Sequence, residues 1–347
     1  MKILVVGDSF VPVPVFKTGL GRLQREHELE FVQLDEGRGQ DPQTESQRSI
    51  REYLGTPDQL AERVADADIL VVHGAPVTAE VLDAGHRLKL VCCARGGPVN
   101  VDVAAASARG IPVVNTPGKN ADAVADQTIA FMIMLARGFP RAQRFLLDGG
   151  RLGESAYEGA QFLGHELAGH VLGLVGFGNV GRRVSRRAIA FGVTVVVYDP
   201  YVKVEKFDGV RQVDSLQELL SGADFVSLHV RASAGTENLI GRDEFSHMKD
   251  GSYFVNTARE TLVDEDALFA ALKSGHIAGA ALDVVRSRAD HGRHPLLGLD
   301  NVIITPHIGG ATHETLLRGV TMVAAEIDRF VNHEPMRSVV NKTSIEA

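Results

Sequence analysis

A glycine-rich turn between two apolar segments constrains the fold of this chain more than any other feature. Residues 171–181 read Val-Leu-Gly-Leu-Val-Gly-Phe-Gly-Asn-Val-Gly, so that Gly176, Gly178 and Gly181 form a G-x-G-x-x-G pattern. The apolar run before the turn predicts a strand, the segment after it predicts a helix, and Val193–Asp199 predicts a second strand. This order is typical of the βαβ unit on which parallel sheets are built.

Short apolar segments alternate with helical patterns along the rest of the chain. Many of them are apolar at successive positions, which is typical of strands buried on both faces of a parallel sheet. The other predicted strands are Ile3–Val6, Ile69–Val72, Leu90–Cys93, Val113–Val114, Phe225–Leu228, Tyr253–Val255, Ala278–Leu282 and Val302–Ile304. Predicted helices include Ala121–Ala136, Asn179–Ala190, Asp264–Lys273 and His313–Phe330. The alternation predicts an α/β fold.

Length and composition exclude several classes of protein. A chain of 347 residues is long for one core and comfortable for two domains. A net charge of −8 without a basic run argues against binding to nucleic acid. The apolar run Ile3–Val6 is too short for a signal peptide, and no run is long enough to cross a bilayer. Adjacent Cys92 and Cys93 are interpreted as small apolar residues of a strand, so we expect a cytoplasmic protein.

The context of the glycine turn predicts a dinucleotide site. Gly176 allows a tight turn, Gly178 lets backbone N–H groups approach a pyrophosphate, and Gly181 lets helix and strand pack closely. A glycine turn without a ligand is the alternative, and the complete βαβ context argues against it. The candidate cofactor-binding residues of this turn are Gly176, Phe177, Gly178, Asn179, Val180 and Gly181.

The end of the second strand indicates which cofactor is bound. Tyr198 and Asp199 lie there, and a carboxylate at this position accepts hydrogen bonds from an adenosine ribose. The same carboxylate would repel a 2′-phosphate, and no arginine follows closely to bind one. The sequence therefore favours NAD over NADP.

A motif upstream of the glycine turn resembles the zinc-binding motif H-E-x-x-H. Residues 165–170 read His-Glu-Leu-Ala-Gly-His, but His165 and His170 are five positions apart, so they do not share a helix face as H-E-x-x-H requires. Gly169 and the strand that follows also argue against a helix. We therefore expect no metal.

Several further motifs, in order, resemble the D-isomer-specific 2-hydroxyacid dehydrogenase family, which includes phosphoglycerate, glycerate/glyoxylate and D-lactate dehydrogenases. The resemblance extends from about Leu88 to about Phe330. The motifs that carry it are Asn115-Thr-Pro-Gly, Val124-Ala-Asp-Gln-Thr128, Gly164–Gly173, Val255-Asn-Thr-Ala-Arg259, Ala280-Ala-Leu-Asp-Val284 and Thr305-Pro-His-Ile-Gly-Gly-Ala-Thr312. Five or more motifs in the right order are far more specific than one.

The resemblance implies an architecture of two doubly wound parallel-sheet domains. An NAD-binding Rossmann domain at residues 117–312 would be inserted into a flavodoxin-like substrate domain at residues 1–116 and 313–347. It also implies a symmetric homodimer built on the cofactor domains. Ile129–Leu135 and Arg137–Leu147 are the candidate interface segments, although core packing is the alternative for the first of them.

Two residues of these motifs are the candidate catalytic residues. Arg259 can hold a substrate carboxylate in a bidentate fork. His307 can take the hydroxyl proton during oxidation and return it during reduction, because imidazole titrates near neutral pH. Both follow predicted strands, at the carboxyl ends where open α/β sheets bind ligands.

Further site residues are implied by the resemblance alone. Asp283 would hold the nicotinamide carboxamide, and Thr257 is a further candidate for cofactor binding. The loop of Arg95, Gly96 and Gly97 would offer backbone N–H groups to the substrate carboxylate. Arg95 replaces a common glycine, which brings a second positive charge towards the substrate.

One position departs from the family pattern. Most relatives place a glutamate five residues after the aspartate matched by Asp283, where it pairs with the catalytic histidine. Arg288 occupies that position here, and the nearest carboxylate belongs to Asp290. Either Asp290 reaches His307 from a rearranged loop, or His307 works without a carboxylate partner.

The sequence thus predicts an oxidoreductase that transfers a hydride between NAD(H) and a small 2-hydroxy or 2-keto acid, with neither nucleic acid nor a membrane as partner. The alternative is a non-enzymatic, corepressor-like NAD sensor on the same fold. The presence of both Arg259 and His307 argues against it, because a scaffold needs neither residue.

Overall fold

The computed structural model describes residues 1–34, 44–150, 156–204, 207–286 and 293–342. The chain divides into two compact units. Unit 1 contains Met1–Asn120 and Ala311–Ala347, and unit 2 contains Ala121–Gly310.

The described ranges contain twelve strands and twelve α-helices. The strands are β1 (Lys2–Gly7), β2 (Glu28–Gln33), β3 (Ile69–Val72), β4 (Leu90–Cys93), β5 (Val113–Val114), β6 (Val171–Val175), β7 (Thr194–Tyr198), β8 (Val210–Gln212), β9 (Phe225–Leu228), β10 (Ser252–Asn256), β11 (Ile277–Leu282) and β12 (Val302–Ile304). The helices are α1 (Val13–Gly19), α2 (Glu45–Ser49), α3 (Pro57–Val64), α4 (Ala79–Ala84), α5 (Val103–Ala108), α6 (Ala121–Ala136), α7 (Phe139–Leu147), α8 (Asn179–Ala190), α9 (Leu216–Gly222), α10 (Arg242–His247), α11 (Glu265–Ser274) and α12 (His313–Val331). Short 3₁₀ helices occur at Leu23–Arg25, Ala156–Phe162, Ala234–Thr236, Glu260–Leu262 and Pro295–Gly298.

Unit 1 is built on a parallel sheet with the order β2-β1-β3-β4-β5. Side chains of β1, β3 and β4 are buried on both faces, which explains their continuous apolar sequences. One face packs against α3 and α4 through residues such as Leu60 and Val81. The other packs against α12 through residues such as Val320 and Ile327. This strand order is that of flavodoxin-like folds.

Unit 2 is built on a parallel sheet with the order β12-β11-β10-β9-β6-β7-β8. The chain starts in the middle at β6, runs to one edge through β7 and β8, and then fills the other side with β9 to β12. This is the doubly wound Rossmann order, and ligands bind where the strand order reverses, here between β6 and β9. Two apolar clusters cover the two faces of the sheet.

The predicted fold class is confirmed, because both sheets are parallel and interleaved with helices. All ten strands predicted from the sequence are present, with ends shifted by at most one residue. Two further strands, β2 and β8, were not predicted; both are edge strands with partly exposed side chains. Among the helices of the described ranges, none is both long and apolar enough to span a membrane.

Candidate active site

The glycine turn lies between β6 and α8 in unit 2. Gly176 has a φ of +95°, a left-handed value that glycine adopts without strain. A Cβ atom at Gly176 would lie 2.7 Å from the carbonyl oxygen of His229, and one at Gly181 would lie 2.5 Å from the carbonyl oxygen of Gly176. Side chains at these two positions would therefore force the turn and the helix away from the sheet.

The start of α8 has room for a ligand. The helix begins at Asn179 with Gly178 as its N-cap, and no side chain caps it. A Cβ atom at Gly178 would meet nothing within 4 Å. The N–H groups of the first turn, which includes Val180, thus lack a side-chain acceptor and are suited to bind a pyrophosphate. Phe177 has its side chain fully buried against Phe207, so the turn presents its backbone rather than an aromatic ring. These features fit NAD.

Asp199 follows β7 and holds the glycine turn in place through hydrogen bonds. One carboxylate oxygen accepts the backbone N–H of Phe177 at 2.7 Å. The other accepts the N–H groups of Tyr201 at 2.9 Å and Val202 at 3.1 Å. Tyr198, at the end of β7, is half-buried beside it. Asp199 is thus both the predicted ribose ligand and, beyond what the sequence indicates, a residue that holds the turn.

Arg259 lies on the segment that follows β10. Asn256 shapes this segment, because its side-chain oxygen accepts the N–H of Ala258 at 3.0 Å and its amide donates to the carbonyl of Arg259 at 2.9 Å. The Arg259 side chain is exposed, and its Nη1 donates to the carbonyl of Ala258 at 2.6 Å. No acidic side chain of the described ranges forms an ion pair with it. Arg259 therefore has a free face for an anionic ligand.

Thr257 is buried, and its hydroxyl lies 3.2 Å from the hydroxyl of Thr128 on α6. This contact joins the end of β10 to the helix that packs beneath it. The structure thus shows Thr257 in a packing role, and cofactor binding by Thr257 stays a prediction.

Asp283 follows β11 and is almost fully buried. One oxygen accepts from the Thr305 hydroxyl at 2.6 Å, from Gln127 at 3.1 Å and from the N–H of Ile308 at 2.9 Å. The other accepts the N–H of Gly309 at 2.8 Å. The aspartate therefore organises the turn on which His307 lies. The sequence analysis did not single out Gln127, although it belongs to the Val124–Thr128 motif quoted there.

His307 is exposed, and its backbone has a φ of +55°. Few residues other than glycine adopt such a value, and it persists only where the surroundings impose it. Here the N–H of His307 donates to the carbonyl of Asp283 at 2.9 Å, while the carboxylate of Asp283 holds the next two N–H groups. The turn therefore holds the backbone of His307 in place and leaves its side chain exposed.

The candidate residues of unit 2 lie along one edge of its sheet. Gly176, Asp199, Arg259, Asp283 and His307 follow five different strands, β6, β7, β10, β11 and β12. Because all seven strands are parallel, their carboxyl ends share an edge. The sheet thus gathers the glycine turn, a carboxylate, a guanidinium group and an imidazole along one edge.

In unit 1, Arg95 follows β4. Its Nη1 donates to the backbone carbonyl of Glu52 at 2.6 Å, and its Nη2 forms an ion pair with the Glu52 carboxylate. The additional positive charge expected from Arg95 is therefore neutralised within unit 1. Gly96 and Gly97 are exposed, and a Cβ atom on either would meet nothing within 4 Å, so their backbone is open to a ligand.

Arg288 and Asp290 lie outside the described residues. The segments on either side of them are held by Glu265 of α11. It accepts the N–H of Arg286 at 2.7 Å, and its other oxygen lies 3.0 Å from Nε2 of His294. Both ends of this loop are thus anchored to one helix.

The upstream histidine motif does not form a helix: residues 163–166 have no regular structure and a turn follows. Within the described ranges, no group of three or more His, Cys, Asp or Glu side chains is placed to hold a metal ion.

Comparison with known proteins agrees with this geometry. Residues 129–309 match the sequence model of "D-isomer specific 2-hydroxyacid dehydrogenase, NAD binding domain", and this range lies within unit 2. The D-3-phosphoglycerate dehydrogenase of Methanocaldococcus jannaschii is 40% identical over 316 residues, which cover 88% of this chain and 59% of that protein. The chain therefore spans less than two thirds of that relative's length.

A second relative is similar in length. The hydroxypyruvate reductase of Thermotoga maritima is 42% identical over 270 residues, which cover 77% of this chain and 86% of that protein. Among solved structures, the TT0316 protein of Thermus thermophilus is 32% identical, with a TM-score of 0.77 over 98% of this chain and 100% of that one. The glycine turn, the sheet order and these similarities agree, and the chain belongs to the D-isomer-specific 2-hydroxyacid dehydrogenase family, with NAD as its cofactor.

Proposed function

We propose that this protein is an NAD(H)-dependent dehydrogenase that interconverts a small 2-hydroxy acid and the corresponding 2-keto acid. The observation that carries the proposal is the placement of Arg259 and His307 on the carboxyl edge of the sheet that also bears the glycine turn. A cation for a carboxylate and an imidazole for a proton are the two groups that this reaction requires. The comparisons give no support to a non-enzymatic sensor.

Arg259 binds the substrate carboxylate. Its planar guanidinium can donate two parallel hydrogen bonds, and the segment held by Asn256 fixes its backbone. This clamp orients the hydroxyl-bearing carbon, since a bidentate pair restrains rotation as well as distance.

His307 exchanges the substrate proton. During oxidation its neutral imidazole accepts the proton of the 2-hydroxyl group, and during reduction the imidazolium returns a proton to the keto oxygen. The turn held by Asp283 fixes the backbone from which the imidazole extends, because the N–H groups of His307 and Ile308 are both hydrogen-bonded to Asp283.

The remaining residues hold and orient the cofactor. When bound, NAD supplies the acceptor for the hydride that leaves the hydroxyl-bearing carbon, and NADH supplies the hydride for the reverse direction. The turn of residues 176–181 binds the pyrophosphate, Asp199 binds the ribose, and Tyr198 and Thr257 border the site. Asp283 reaches the nicotinamide carboxamide with the acceptor capacity that its four protein donors leave.

In this proposal the substrate domain is formed by residues 1–116 and 313–347, which lie within unit 1, and the cofactor domain is formed by residues 117–312, which contain unit 2. The backbone of Gly96 and Gly97 contributes donors for the substrate carboxylate, supported by their exposure and by the open space beside them. Arg95 shapes this loop through its pair with Glu52.

The experiment that tests the function is a screen for a change in NADH absorbance. The purified protein is mixed with NADH and a panel of 2-keto acids, and with NAD and the matching 2-hydroxy acids. Turnover of at least one pair that is abolished in His307→Ala supports the proposal. Absence of turnover across the panel, with NAD binding intact by titration, contradicts it.

We also propose a homodimer in the cytoplasm. The helix α7 leaves Phe139 49% and Leu147 75% exposed, which is more apolar surface than a monomer usually presents on one short helix. Cys92 and Cys93 are buried free thiols, as expected in a reducing compartment. Solution scattering gives the assembly: a dimer that dissociates in Leu147→Glu supports the interface, and a strict monomer at working concentration rejects it.

A further inference from the structure

The loop after β4 in unit 1 is held by the residues that follow β5. Three consecutive backbone carbonyls, those of residues 94–96, each accept one hydrogen bond from residues 115–119. The first accepts from the ammonium group of Lys119 at 2.7 Å. The second accepts from the N–H of Thr116 at 2.8 Å, and the third from the side-chain amide of Asn115 at 2.8 Å. Both segments belong to unit 1.

These three hydrogen bonds decide where the N–H groups of the loop point. In a trans peptide the C=O and N–H groups point in opposite directions, and the described ranges contain no cis peptide. Because the carbonyls face residues 115–119, the N–H groups of Gly96 and Gly97 point away from that segment. Within the described ranges neither N–H group has an acceptor. The bond from Lys119 fixes the first peptide of this row, from which the next two follow.

The side chain of Lys119 is built into unit 1. It is 7% exposed, and the carbonyl of the same residue accepts from Nη1 of Arg318 on α12 at 2.6 Å. A Cβ atom at Gly319 would lie 2.8 Å from Cδ of Lys119. Glycine destabilises the interior of a helix relative to alanine, so α12 accommodates the lysine with a residue that helices disfavour.

Burial of the ammonium group changes its titration. Burial disfavours the charged form and lowers the pKa of Lys119 to about 8. The positive charge of Arg95 acts in the same direction, while Cys93 and Asp8 oppose it. The ammonium group is therefore charged at pH 7 and loses its proton as the pH rises through about 8.

The neighbours of Lys119 keep their charge over the same range of pH. The charged or titratable neighbours are Asp8 after β1, His73 after β3, Cys93 on β4, Arg95 in the loop and Arg318 on α12. Burial raises the pKa of Asp8, but its hydrogen bonds outweigh burial and lower the pKa overall, so Asp8 is ionised. Burial lowers the pKa of His73 and raises that of Cys93 to about 11, so both are neutral. Because arginine stays protonated, Lys119 is the one group of this described cluster that changes its charge between pH 7 and 9.

We propose that Lys119 is a positioning residue for anion binding by this loop: its ammonium group holds the first peptide in place and sets a positive charge behind the N–H groups of Gly96 and Gly97. Loss of that charge in alkaline solution weakens the binding of a carboxylate to the two N–H groups. The inference rests on the proposed function, which assigns the substrate carboxylate to these groups, and it concerns residues of unit 1 alone. Lys119 acts through the loop and does not contact the ligand.

A purely structural lysine would behave differently. A neutral amine still carries N–H groups and can donate to the carbonyl of Ala94, so deprotonation alone would leave the loop in place. Carboxylate affinity that follows the charge of Lys119 therefore distinguishes a positioning role from packing.

The experiment is a titration with oxamate, a carboxylate that NADH does not reduce and that has no titrating group between pH 7 and 9. The amide signals of Gly96 and Gly97 are followed by NMR in protein labelled with ¹⁵N-glycine. Gly96→Ala and Gly97→Ala assign the two signals, since a Cβ atom at either position meets nothing within 4 Å. No cofactor is added, so no residue of unit 2 has to take part. We expect the wild-type affinity to fall about fivefold from pH 7 to pH 9.

Lys119→Met removes the charge and keeps an unbranched side chain. We expect it to bind oxamate about tenfold more weakly than wild type at pH 7, with an affinity that is constant up to pH 9. Lys17→Met, at an exposed position on α1, is the matched control and should retain the wild-type affinity and pH profile. Melting curves verify the fold, and we expect little change, because removal of a buried charge offsets the lost hydrogen bond to Ala94.

Three outcomes overturn the inference. Wild-type affinity that is constant between pH 7 and 9 does so without any variant. Folded Lys119→Met that binds oxamate within about twofold of wild type at pH 7 does so as well. Oxamate that leaves the signals of Gly96 and Gly97 unshifted shows that the loop does not bind a carboxylate. The titration involves no turnover, so its result is separate from that of the NADH screen, which tests the proposed function.

Discussion

Asp283 holds the turn that carries His307 through both its backbone carbonyl and its side-chain carboxylate. The carbonyl of Asp283 accepts the N–H of His307 at 2.9 Å, while its carboxylate accepts the N–H groups of Ile308 and Gly309 at 2.9 and 2.8 Å. A single buried residue therefore holds the histidine at its left-handed φ of +55°. The residue expected from the family resemblance to contact the nicotinamide is in addition the scaffold of the proton-transfer group, which couples the two halves of the proposed chemistry.

The first prediction concerns the choice of cofactor. NAD(H) should bind more tightly than NADP(H), because a 2′-phosphate would meet the carboxylate of Asp199. Asp199→Ala should reduce the difference in affinity between the two cofactors and weaken NAD binding about tenfold. The ribose loses an acceptor, and the N–H of Phe177 in the turn loses its hydrogen bond to Asp199. Fluorescence titration measures both affinities. Asp208→Ala, at an exposed position nearby, is the control. Equal wild-type affinities for the two cofactors would refute the assignment.

The second prediction concerns the substrate clamp. Arg259→Lys should leave the fold intact and lower kcat/KM about 10- to 100-fold, because an ammonium group cannot donate two parallel bonds to one carboxylate. Arg242→Lys, an equally exposed substitution on α10, should leave it unchanged. Steady-state kinetics on the identified substrate provides the measurement. Near-wild-type turnover by Arg259→Lys would remove this arginine from the site.

The third prediction concerns the loop that contains Arg288 and Asp290. A carboxylate beside an imidazole stabilises its protonated form, and Arg288 is a cation at the position where most relatives carry glutamate. If no other carboxylate takes the place of that glutamate, the rate of keto-acid reduction should decline at lower pH than in those relatives, since reduction uses the protonated histidine. Oxidation of the hydroxy acid uses the neutral histidine, so its rate should be maintained to lower pH than in those relatives.

Two substitutions distinguish the alternatives for this loop. Arg288→Glu should move the profile of kcat/KM against pH upward by about one unit if residue 288 reaches His307. Asp290→Asn should move it downward if Asp290 already serves as the partner. The ends of the loop are anchored by Glu265, so either change should leave the neighbouring strands in place. If neither variant displaces the profile, this loop does not tune the histidine.

The fourth prediction concerns the stability of unit 1 in acid. Asp68 is buried at the start of β3, where it accepts the N–H of Lys2 at 2.9 Å and pairs with Lys89 and Arg87. Burial alone would raise its pKa, but these contacts outweigh burial and lower the pKa to about 2. A carboxyl whose pKa is lower in the folded than in the unfolded chain stabilises the fold above pH about 4 and loses this contribution as the pH falls towards 2.

Asp68→Asn should therefore lower the free energy of unfolding at pH 7 by about 1–3 kcal/mol, with a smaller effect near pH 2. Urea titration at the two pH values checks this. Asp66→Asn is the matched control, because Asp66 pairs with Lys2 at the exposed surface and should matter less. A loss at pH 7 that is no larger for Asp68→Asn than for Asp66→Asn would contradict the prediction.

The sequence by itself was sufficient for the fold class and for most of the candidate residues of unit 2. Buried strands have continuous apolar runs, and these predicted β3, β4, β5 and β9 residue for residue. The glycines at 176, 178 and 181 can be recognised in the sequence because they recur at a fixed spacing within one turn, although the carbonyl that closes the space at Gly176 belongs to the distant His229. Arg259 and His307 were predicted because they lie in motifs that resemble the family and come soon after predicted strands.

What only the tertiary structure decided depends on contacts between distant parts of the chain. The edge strand β2 reads Glu-Leu-Glu-Phe-Val-Gln and lacks a continuous apolar run, so it was not predicted; its pairing with β1 defines it. Asp8 and His73 are 65 positions apart, and they meet because β1 and β3 are neighbours in the sheet. Glu52 neutralises Arg95 across 43 positions in the same way. Hydrogen bonds and ion pairs of this kind leave no periodicity in the sequence, because they are made by single side chains that only folding brings together.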